Sequence, residues 1–367
     1  MSSDKISVLH VVNKWDHGGV ERYIEGLTEA SADSSLCHTV LSLCTHIDSG
    51  AHFQGKFGPL YSGDGLYAIL RASLRFGAFL DAHRFDVVHI HASNGSCFLL
   101  ARIARLHGVA TRIVHSHNSS MQAGSGIIKK LANKLLIYLF AGNESVRLAC
   151  STEAGRHLFK NRDFEIMPNG IDTDRFAFNQ QARSKIRSKL GVNENTTIIL
   201  CVGSLIEAKN HFKAIEIFSK YTAAVPDSLL VILGDGPLRE RLKVEIEILG
   251  ISHKVFMPGF LDDAELWLSA SDVMLFPSLY EGLPISLVEA QCNGLPIVCS
   301  DSVTQEVALM DNFQFLPLSA PDDEWVAALI AARRCFGSLP VSVVCGKGFN
   351  RKDMLVRISA KYEQVEL

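Results

Sequence analysis

Three features that would define a function class are missing from the sequence: a long apolar run, a closely spaced cysteine pair and a large excess of one charge. A helix that spans a bilayer needs about 20 consecutive apolar residues, and no segment approaches this length without a polar interruption. The first apolar run is broken by His10, whereas a secretory signal peptide has a long apolar core. We therefore expect a chain that neither spans a membrane nor is exported through one.

The cysteines do not follow the pattern of a disulfide framework or of a zinc site. There are nine, and they are widely scattered, with no Cys-x-x-Cys spacing. Several lie inside apolar runs, such as Cys150 and Cys201, where a reduced thiol behaves as a small apolar side chain. This usage favours a reducing compartment, so we expect a cytoplasmic protein.

The charge is nearly balanced, with 36 Lys and Arg against 39 Asp and Glu and a net charge of -3. This balance argues against a nucleic-acid-binding protein, which would carry a basic patch. The chain has 367 residues, 47% of them hydrophobic, and one folded domain usually has about 100–200 residues. Two folded domains are therefore expected, and 12 of the 14 histidines lie in the first half, which suggests different roles for the two halves.

Short apolar segments alternate with helix-like segments along the chain, a pattern typical of a parallel sheet covered by helices on both faces. The predicted strands are 6–12, 86–91, 111–115 and 147–150 in the first half, and 197–202, 229–233, 254–257, 273–276 and 296–299 in the second. The predicted helices are 20–32, 96–106 and one from 152, then 209–224, 237–249, 263–270 and 285–293.

We interpret this α/β alternation as two Rossmann-like domains, residues 1–168 and 169–350, whose parallel sheets face each other across a cleft. A last helix at about 351–363 has no strand after it, so we expect the segment 351–367 to pack back across the first domain. Ligands of doubly wound sheets bind at the carboxyl ends of the strands. Functional residues are therefore expected in the loops that follow the strands.

The segment SLYEGLPISLVEAQCNGLPIVCS at 278–300 carries the strongest motif. Glu281 and Glu289 stand eight residues apart, one in a Gly-Leu-Pro loop and one on the helix that follows. Backbone N–H groups in the first turn of that helix, at 285–287, have no intrahelical partners and favour an anion. A phosphate site with a hydroxyl-binding carboxylate one turn further on fits a nucleotide sugar. The alternative is that both glutamates are ordinary surface residues.

With its Glu-x7-Glu element, this segment resembles the family 4 glycosyltransferases of the GT-B fold. The likeness extends in the family's order through most of the chain, at GGVER (18–22), HSHN (115–118), PNGIDTDRF (168–176), VGSLIEAKN (202–210), ILGDGPLRERL (232–242), VFMPGF (255–260) and FPSLYEGLP (276–284). The resemblance implies transfer of a sugar from a nucleotide diphosphate donor, with retention of anomeric configuration and without an obligatory metal or other cofactor.

The resemblance implies roles for residues that would bind the phosphates of the donor. Gly18 and Gly19 follow the first strand, where the missing Cβ lets the backbone approach a diphosphate; a plain structural turn is the alternative. Lys209 would neutralise the leaving diphosphate, or else is a solvated surface lysine. Ser204 stands in the same loop, where the family usually has an arginine, so half of the usual cationic clamp is missing.

Further donor-binding roles follow from the same resemblance. Gly234 begins a tight turn close to the nucleotide, and Asp235 beside it is expected to cap the next helix. Glu281 would hold the donor sugar, together with the loop residues Gly282, Leu283 and Pro284. Glu289 would hold the ribose.

Two His-x-His pairs, His89 with His91 and His115 with His117, lie at the ends of two predicted strands. Alternate strand residues share a face, so each pair could ligate a metal. The resembling family places one histidine after this strand, facing the donor sugar, and HSHN assigns that role to His117. We therefore expect His117 to be catalytic, along with Lys209 and Glu281, and the pair at 89 and 91 to be structural.

Asp172-Thr173-Asp174 has the Asp-x-Asp pattern of a metal motif in a different glycosyltransferase fold. It lies in the segment between the two predicted domains, where the resembling family has a structural link. We interpret it as a chance match and expect no metal site.

The segment 127–140, IIKKLANKLLIYLF, is strongly apolar and carries Lys129, Lys130 and Lys134. One interpretation is a buried helix with a solvated basic edge. The other is a helix that faces the acceptor or lies on a membrane surface, where it would reach a lipid-linked substrate.

The sequence thus predicts a retaining glycosyltransferase that binds its acceptor mainly with residues 1–165 and its nucleotide sugar mainly with 180–340. The preferred donor is a UDP-linked hexose or N-acetylhexosamine. The expected acceptor is a saccharide or a lipid-linked saccharide in surface polysaccharide assembly, with peripheral contact to the inner face of the membrane. Two alternatives stay open: a nucleotide-sugar epimerase on the same fold, and a non-catalytic relative that binds the nucleotide sugar, as Ser204 suggests.

Overall fold

The computed structural model describes residues 5–15, 19–32, 34–44, 47, 53, 55–60, 66–92, 94–117 and 127–364. The chain divides into two compact units, one formed by residues 1–170 with 351–367 and the other by 171–350. Each unit is an α/β domain built on a parallel sheet.

The first unit has a seven-stranded sheet within the described residues. Its strands are β1 (Ile6–Val12), β2 (Leu36–Ser42), β3 (Gly55–Phe57), β4 (Val87–Ala92), β5 (Thr111–Ser116), β6 (Val146–Ala149) and β7 (Glu165–Ile166). Its helices are α1 (Gly19–Ala30), α2 (Leu66–Ala82), α3 (Ser96–Leu106), α4 (Ile127–Phe140), α5 (Thr152–Phe159) and, at the end of the chain, α14 (Arg351–Glu363). The strand order is β3-β2-β1-β4-β5-β6-β7, so the direction of winding reverses between β1 and β4.

Alternate residues of the central strands enter two different apolar cores, one on each face of this sheet. On one face Leu9 of β1 packs with Phe76 of α2 and Phe98 of α3. On the other face the neighbouring residue Val8 packs with helices α1 and α14. This alternation is the period of a strand that is buried on both sides.

The last helix, α14, is part of the first unit. Its residues Met354, Ile358 and Tyr362 are fully buried in the core that α1 also covers. An ion pair between Arg351 and Glu29 of α1, with an N–O distance of 3.0 Å, joins the two helices at the surface. Helix α14 therefore covers sheet surface that would otherwise face water.

The second unit has a six-stranded sheet within the described residues. Its strands are β8 (Thr197–Val202), β9 (Ser228–Leu233), β10 (Val255–Gly259), β11 (Val273–Phe276), β12 (Ile297–Ser300) and β13 (Phe313–Leu316). Its helices are α6 (Thr173–Phe176), α7 (Gln180–Leu190), α8 (His211–Ala224), α9 (Arg239–Ile248), α10 (Ala264–Ala270), α11 (Ile285–Cys292), α12 (Asp322–Ala331) and α13 (Leu339–Gly346). The order β10-β9-β8-β11-β12-β13 is the doubly wound order of a Rossmann fold, with its switch point between β8 and β11.

The predicted elements agree best with the structure where the apolar run is continuous. The strands at 197–202 and 273–276 and the helices at 96–106 and 351–363 have the predicted bounds. The sequence analysis missed β2, which contains a buried histidine, and the sheet-edge strands β3, β7 and β13. An edge strand is covered less completely, as in β13, where Phe315 is only half-buried and Gln314 is exposed, so it has no long apolar run.

Helix α4 forms as expected but is not the buried helix that one interpretation favoured. Leu131, Leu135, Tyr138 and Leu139 are 60%, 56%, 82% and 54% exposed. None of the helices in the described ranges combines the length and apolar composition that crossing a bilayer demands. The apolar residues of α4 thus lie at the surface of the first unit.

Backbone hydrogen bonds join the loops at the carboxyl edge of the second sheet. The N–H of Gly203 donates to the carbonyl of Leu233, and the N–H of Gly234 donates to that of Gly259, both at 2.9 Å. Gly234 has a φ of +143°, and a Cβ placed there would lie 2.0 Å from the carbonyl oxygen of Gly203. Only glycine fits here, because any side chain would meet backbone that cannot move aside.

We expect Gly234→Ala to destabilise the second unit by about 2–3 kcal/mol, because it adds both an unfavourable φ and a backbone clash. Thermal unfolding should show a midpoint several degrees lower. Gly346→Ala is the matched control, since φ at Gly346 is not positive and a Cβ there meets nothing within 4 Å. Equal midpoints for the two variants would contradict this account of the loop junction.

Candidate active site

An ion pair marks the switch point of the second sheet. Lys209 follows β8 and Glu281 follows β11, and these two strands are neighbours at the reversal of strand order. The Nζ of Lys209 lies 2.6 Å from Oε1 of Glu281, and both side chains are mostly buried. The ammonium group also lies 5.2 Å from the centre of the Phe276 ring, a distance at which the ring face attracts a cation. Two predicted site residues, 72 positions apart in the sequence, are thus in direct contact.

The loops that carry this pair are held together by hydrogen bonds to backbone atoms. The N–H of Leu279 donates to the carbonyl of Ala208 at 2.8 Å. The side-chain amide of Asn210 donates to the carbonyl of Pro277 at 3.1 Å. The positions of Lys209 and Glu281 are therefore set by the backbone and not only by their own attraction.

Helix α11 begins at Ile285, where the sequence predicts it, directly after the Gly282-Leu283-Pro284 loop. Pro284 is the N-cap residue and makes no side-chain capping bond, so the first turn offers backbone N–H groups to a ligand. Glu289 is buried on this helix. Its charge, together with Glu265, raises the pKa of Arg175, even though burial alone would lower it. Arg175, to which the sequence analysis assigned no role, therefore lies near Glu289, the carboxylate that is predicted to bind the ribose.

Ser204 and Gly234 lie at the ends of the neighbouring strands β8 and β9, and Ser204 is exposed. The expectation that Asp235 caps the following helix is wrong. Helix α9 begins at Arg239, with Leu238 as its N-cap, and Asp235 instead accepts from the N–H of Gly236 at 2.7 Å. Asp235 lies in the tight turn before the helix and not at its N-cap position, so it cannot cap the helix.

His211 is a candidate that the sequence analysis did not consider. It is the first residue of α8, two positions after Lys209, and is buried. Burial lowers the pKa of His211 to about 4; the backbone of Ser204 opposes this shift and the charge of Lys209 adds to it. A neutral imidazole thus lies against the loop that carries Lys209. The signal in the sequence is the placement of a histidine at the start of the helix after this loop.

In the first unit, the glycine pair after β1 is only partly described. Gly18 lies outside the described residues. Gly19 is the first residue of α1, and a Cβ placed there would meet nothing within 4 Å. A side chain would therefore fit at this position without meeting other described residues, and the role of Gly19 in binding a diphosphate stays a prediction.

Six buried histidines lie on one face of the first sheet, on four neighbouring strands: His10, His38, His89, His91, His115 and His117. His10 pairs in register with His89, and His91 with His115. The two pairs predicted from sequence, on β4 and at the end of β5, are thus part of a larger array. His10 and His38 were not singled out, because neither shows the His-x-His spacing.

Hydrogen bonds connect four of these imidazoles into one chain. The hydroxyl of Ser31 lies 2.8 Å from Nε2 of His38, and Nδ1 of His38 lies 2.9 Å from Nε2 of His10. Nδ1 of His10 lies 3.0 Å from Nε2 of His91, whose Nδ1 lies 3.0 Å from Nε2 of His117. We call these five residues the histidine chain. His117, the predicted catalytic histidine, is its last member.

His89 and His115 form a separate branch. Nδ1 of His89 lies 2.8 Å from the hydroxyl of Tyr362 on α14, and Nε2 of His89 lies 3.3 Å from Nδ1 of His115. The expectation that His89 is structural agrees with its full burial between these two partners.

Burial keeps the histidine array neutral. It lowers the pKa of His117 to about 3, which the nearby Asn169 side chain partly offsets, and it lowers the pKa of His38 to about 4. Burial, reinforced by neighbouring imidazoles, also lowers the pKa of His10 and His91 well below the ordinary value. At neutral pH each ring therefore carries one proton and has one donor and one acceptor nitrogen.

The array also has the chemistry of a metal site. Candidate donor atoms lie within 4.8 Å of one another in two overlapping sets: His10 with His89 and His91, and His91 with His115 and His117. Neutral imidazoles are ligands for zinc, copper and nickel. A transition metal could therefore bind here. The sequence indicated that each His-x-His pair could ligate a metal, but not that His10 lies beside His89 and His91. That sugar transfer needs no metal stays a prediction.

Two residues of the Asp172-Thr173-Asp174 segment make structural contacts in the second unit. A carboxylate oxygen of Asp172 accepts from the N–H of Arg175 at 3.0 Å and caps helix α6. The hydroxyl of Thr173 accepts from the side-chain amide of Asn350 at 2.9 Å. Asp172 and Thr173 thus make structural contacts in this unit, and the expectation that the segment binds no metal stays a prediction.

Comparison with known proteins identifies the family of this chain and its fold. Residues 17–175 match the family model described as glycosyltransferase family 4, and residues 182–332 match the model described as glycosyl transferases group 1. EpsF of Bacillus subtilis (strain 168), which is named as a glycosyltransferase, is 30% identical over 344 residues that cover 90% of this chain and 89% of EpsF.

A second relative is the UDP-Gal:alpha-D-GlcNAc-diphosphoundecaprenol alpha-1,3-galactosyltransferase of Escherichia coli, which is 29% identical over 89% of this chain and 87% of its own. Among solved structures, HepE of Anabaena in complex with UDP and glucose has a TM-score of 0.74 at 16% identity, covering 98% of this chain and 100% of HepE. The predicted fold and family are thereby confirmed. With these matches and its two doubly wound units, the chain belongs to the family 4 glycosyltransferases, enzymes of the GT-B fold.

Proposed function

We propose that this enzyme transfers a hexose or an N-acetylhexosamine from a UDP-sugar to a saccharide carried on a lipid diphosphate. The transfer retains the anomeric configuration and uses no metal ion. The observation that carries this proposal is the buried pair of Lys209 and Glu281 at the switch point of the second sheet. The Escherichia coli relative is named for a UDP-linked donor and a diphosphoundecaprenol acceptor, and HepE was solved with UDP; both favour these choices.

Lys209 and helix α11 supply the positive potential for the diphosphate. A lysine ammonium has three N–H donors, so Lys209 can keep its bond to Glu281 and still donate to phosphate oxygens. The first turn of α11 adds backbone N–H groups and the positive end of the helix dipole. Glu281, with Gly282, Leu283 and Pro284, holds the donor sugar, and Glu289 holds the ribose.

The reaction itself needs positioning and charge stabilisation more than a nucleophile. In a front-face displacement the leaving phosphate oxygen accepts the proton of the acceptor hydroxyl while the new glycosidic bond forms on the same face of the sugar. Lys209 stabilises the negative charge that develops on the diphosphate. His117, which is neutral, orients the sugar by a hydrogen bond. Since Ser204 contributes no charge where an arginine is usual, Lys209 carries a larger share of this stabilisation.

We expect UDP to raise the unfolding midpoint by several degrees in the presence of EDTA. A ligand at about 100 times its dissociation constant adds about 2.7 kcal/mol to the folded state. The comparison nucleotides are GDP, ADP, CMP and NAD. A shift with none of the nucleotides, or one that EDTA abolishes and manganese restores, would contradict the proposal.

The same preparation distinguishes transfer from epimerisation. Incubation with a UDP-sugar alone should leave the sugar unchanged apart from slow hydrolysis, whereas an epimerase would return an isomerised UDP-sugar without an acceptor. Binding of UDP with no turnover on any lipid-linked acceptor would favour the non-catalytic alternative.

We expect Lys209→Ala to lower turnover about 100-fold, the loss seen when one donor to a developing oxyanion is removed. Lys243→Ala is the matched control, because Lys243 lies on α9 in an exposed i,i+3 pair with Glu240, and it should keep full turnover. Steady-state rates with saturating UDP-sugar measure both. If Lys209→Ala turned over like the control, Lys209 would have no catalytic role.

The acceptor proposal rests on a surface of the first unit. The four exposed apolar residues of α4 are spaced i, i+4, i+7 and i+8 and so form one stripe,. Lys130 and Lys134 are exposed beside it, and α4 contains no acidic residue. Helix α3 packs against α4, and α2 packs against α3. These two helices add the exposed residues Leu106 and Leu74.

Exposed arginines surround these two leucines, at positions 71, 75, 102 and 105. An apolar stripe with a basic surround is complementary to an anionic bilayer, where each Lys or Arg near the surface contributes about 1 kcal/mol. We infer that this surface docks on the membrane that holds the lipid-linked acceptor.

We expect the protein to sediment with vesicles that contain phosphatidylglycerol and not with pure phosphatidylcholine vesicles. The double variant Leu135→Glu, Tyr138→Glu should bind at least about tenfold less, since two apolar side chains leave the bilayer. The control is Val244→Glu, Ile248→Glu on α9, where the native residues are comparably exposed. Equal binding by both double variants would show that α4 is not the docking surface.

A further inference from the structure

The histidine chain runs without a gap from Ser31, at the end of α1, across β2, β1 and β4 to His117. Its four links measure 2.8, 2.9, 3.0 and 3.0 Å. Each of the three inner imidazoles uses both ring nitrogens within the chain. Because both nitrogens of each inner ring are bonded within the chain, the nitrogen that carries the proton in one ring determines which nitrogen carries it in the next.

A neutral imidazole donates with one nitrogen and accepts with the other. If His38 donates from Nε2, its Nδ1 must accept, so His10 must donate from Nε2, and the same holds for His91 and His117. The opposite pattern has all four protons on Nδ1. Any mixed pattern would set two N–H groups or two lone pairs against each other at about 3 Å, at a cost of at least one buried hydrogen bond.

The environment at the Ser31 end selects one of these two patterns. The Ser31 hydroxyl donates to the carbonyl of Leu27 at 2.8 Å, with that of Thr28 at 3.2 Å. A hydroxyl has one proton, so towards His38 it acts as an acceptor. This places a proton on Nε2 of His38 and therefore on Nε2 of all four rings.

The His117 end is where the pattern becomes available to a ligand. With its Nε2 bound to His91, the ring has only Nδ1 left. The side chain of Asn169 lies close enough to raise the pKa of His117, yet neither Nδ1 of His117 nor Oδ1 of Asn169 has a partner of good hydrogen-bond geometry among the described residues. An amide oxygen only accepts, so with the proton on Nε2 both atoms are acceptors that need a donor. A buried polar atom without a partner is costly, and a substrate group can supply the missing bond.

We propose that Ser31, His38, His10 and His91 form a tautomer relay that presents a bare lone pair on Nδ1 of His117. These four residues are positioning residues, because they act through His117. A lone pair takes a hydrogen-bond donor, such as a sugar hydroxyl, and rejects a group that only accepts, such as an acetamido carbonyl. In the reversed pattern Nδ1 would carry the proton and would donate a hydrogen bond to a group that accepts, such as an acetamido carbonyl. Each ring has one proton in both patterns, so the choice creates no charge.

The relay is tested by nitrogen NMR of the ligand-free protein labelled with 15N-histidine, in buffer with EDTA. The shifts of Nδ1 and Nε2 report which nitrogen carries the proton. We expect all four rings of the wild type to be protonated on Nε2. Ser31→Ala removes the acceptor at the end of the chain and should move His38, His10, His91 and His117 together towards protonation on Nδ1, while Ser31→Thr should keep the wild-type pattern.

His89 and His115 are the internal control, because no chain hydrogen bond joins them to these four rings and they should not change. A change confined to His38, or no change at all, would overturn the relay. Should Ser31→Ala fail to fold, His38→Leu removes the next link and should shift His10, His91 and His117 in the same way.

The effect of the relay on substrate choice rests on the proposed function. A second measurement tests the binding of the donor sugar by His117 separately from the relay itself. If His117 binds the donor sugar, Ser31→Ala should raise KM for the UDP-hexose several-fold with little change in kcat, and Ser31→Thr should restore it. A full tautomer shift with unchanged KM would retain the relay and remove His117 from the donor site.

Discussion

The ion pair between Lys209 and Glu281 depends on the strand order of the second unit. In a parallel sheet the winding direction reverses at one place, and there the two flanking loops leave the sheet on opposite sides and open a crevice between them. Here those strands are β8 and β11, and the two loops supply one partner each. Backbone bonds around Gly203, Gly234 and Gly259 hold the adjoining loops, so the pair is fixed by the whole sheet edge.

The second unit buries a charged pair, whereas the first unit buries polar groups that must stay uncharged. Its sheet carries six histidines in a place where water is excluded, and a charged imidazole there would lose its hydration without a carboxylate to replace it. The rings stay neutral and bond to one another from strand to strand across the sheet, and among the described residues only Nε2 of His115 and Nδ1 of His117 in this array lack a partner. Helices α1 and α14 cover this face, so the last helix protects the array by way of Tyr362.

The two units therefore bring different chemistry to a glycosyl transfer. The second unit has a cation and a helix start, which attract an anion, and carboxylates, which accept hydrogen bonds from hydroxyl groups. The first unit has a neutral, directional hydrogen-bonding group at the end of the histidine chain and, on its surface, the apolar stripe and basic residues that we propose as the docking surface for the membrane. This division matches the uneven distribution of histidines between the halves of the sequence.

The sequence by itself determined the fold class and the central strands, because continuous apolar runs and glycine turns are local properties. The spacing of Glu281 and Glu289 is also local, and it predicted these two residues as candidates for the site. The sequence also indicated His117 and Lys209 singly. Only the tertiary structure decided that Lys209 meets Glu281, that His10 and His38 join His117, that α4 exposes its apolar stripe, and that Tyr362 of α14 bonds to His89. These contacts join residues that are distant in the chain. They are brought together by the order of the strands and by which face of each sheet the helices cover, and no local sequence pattern encodes either property.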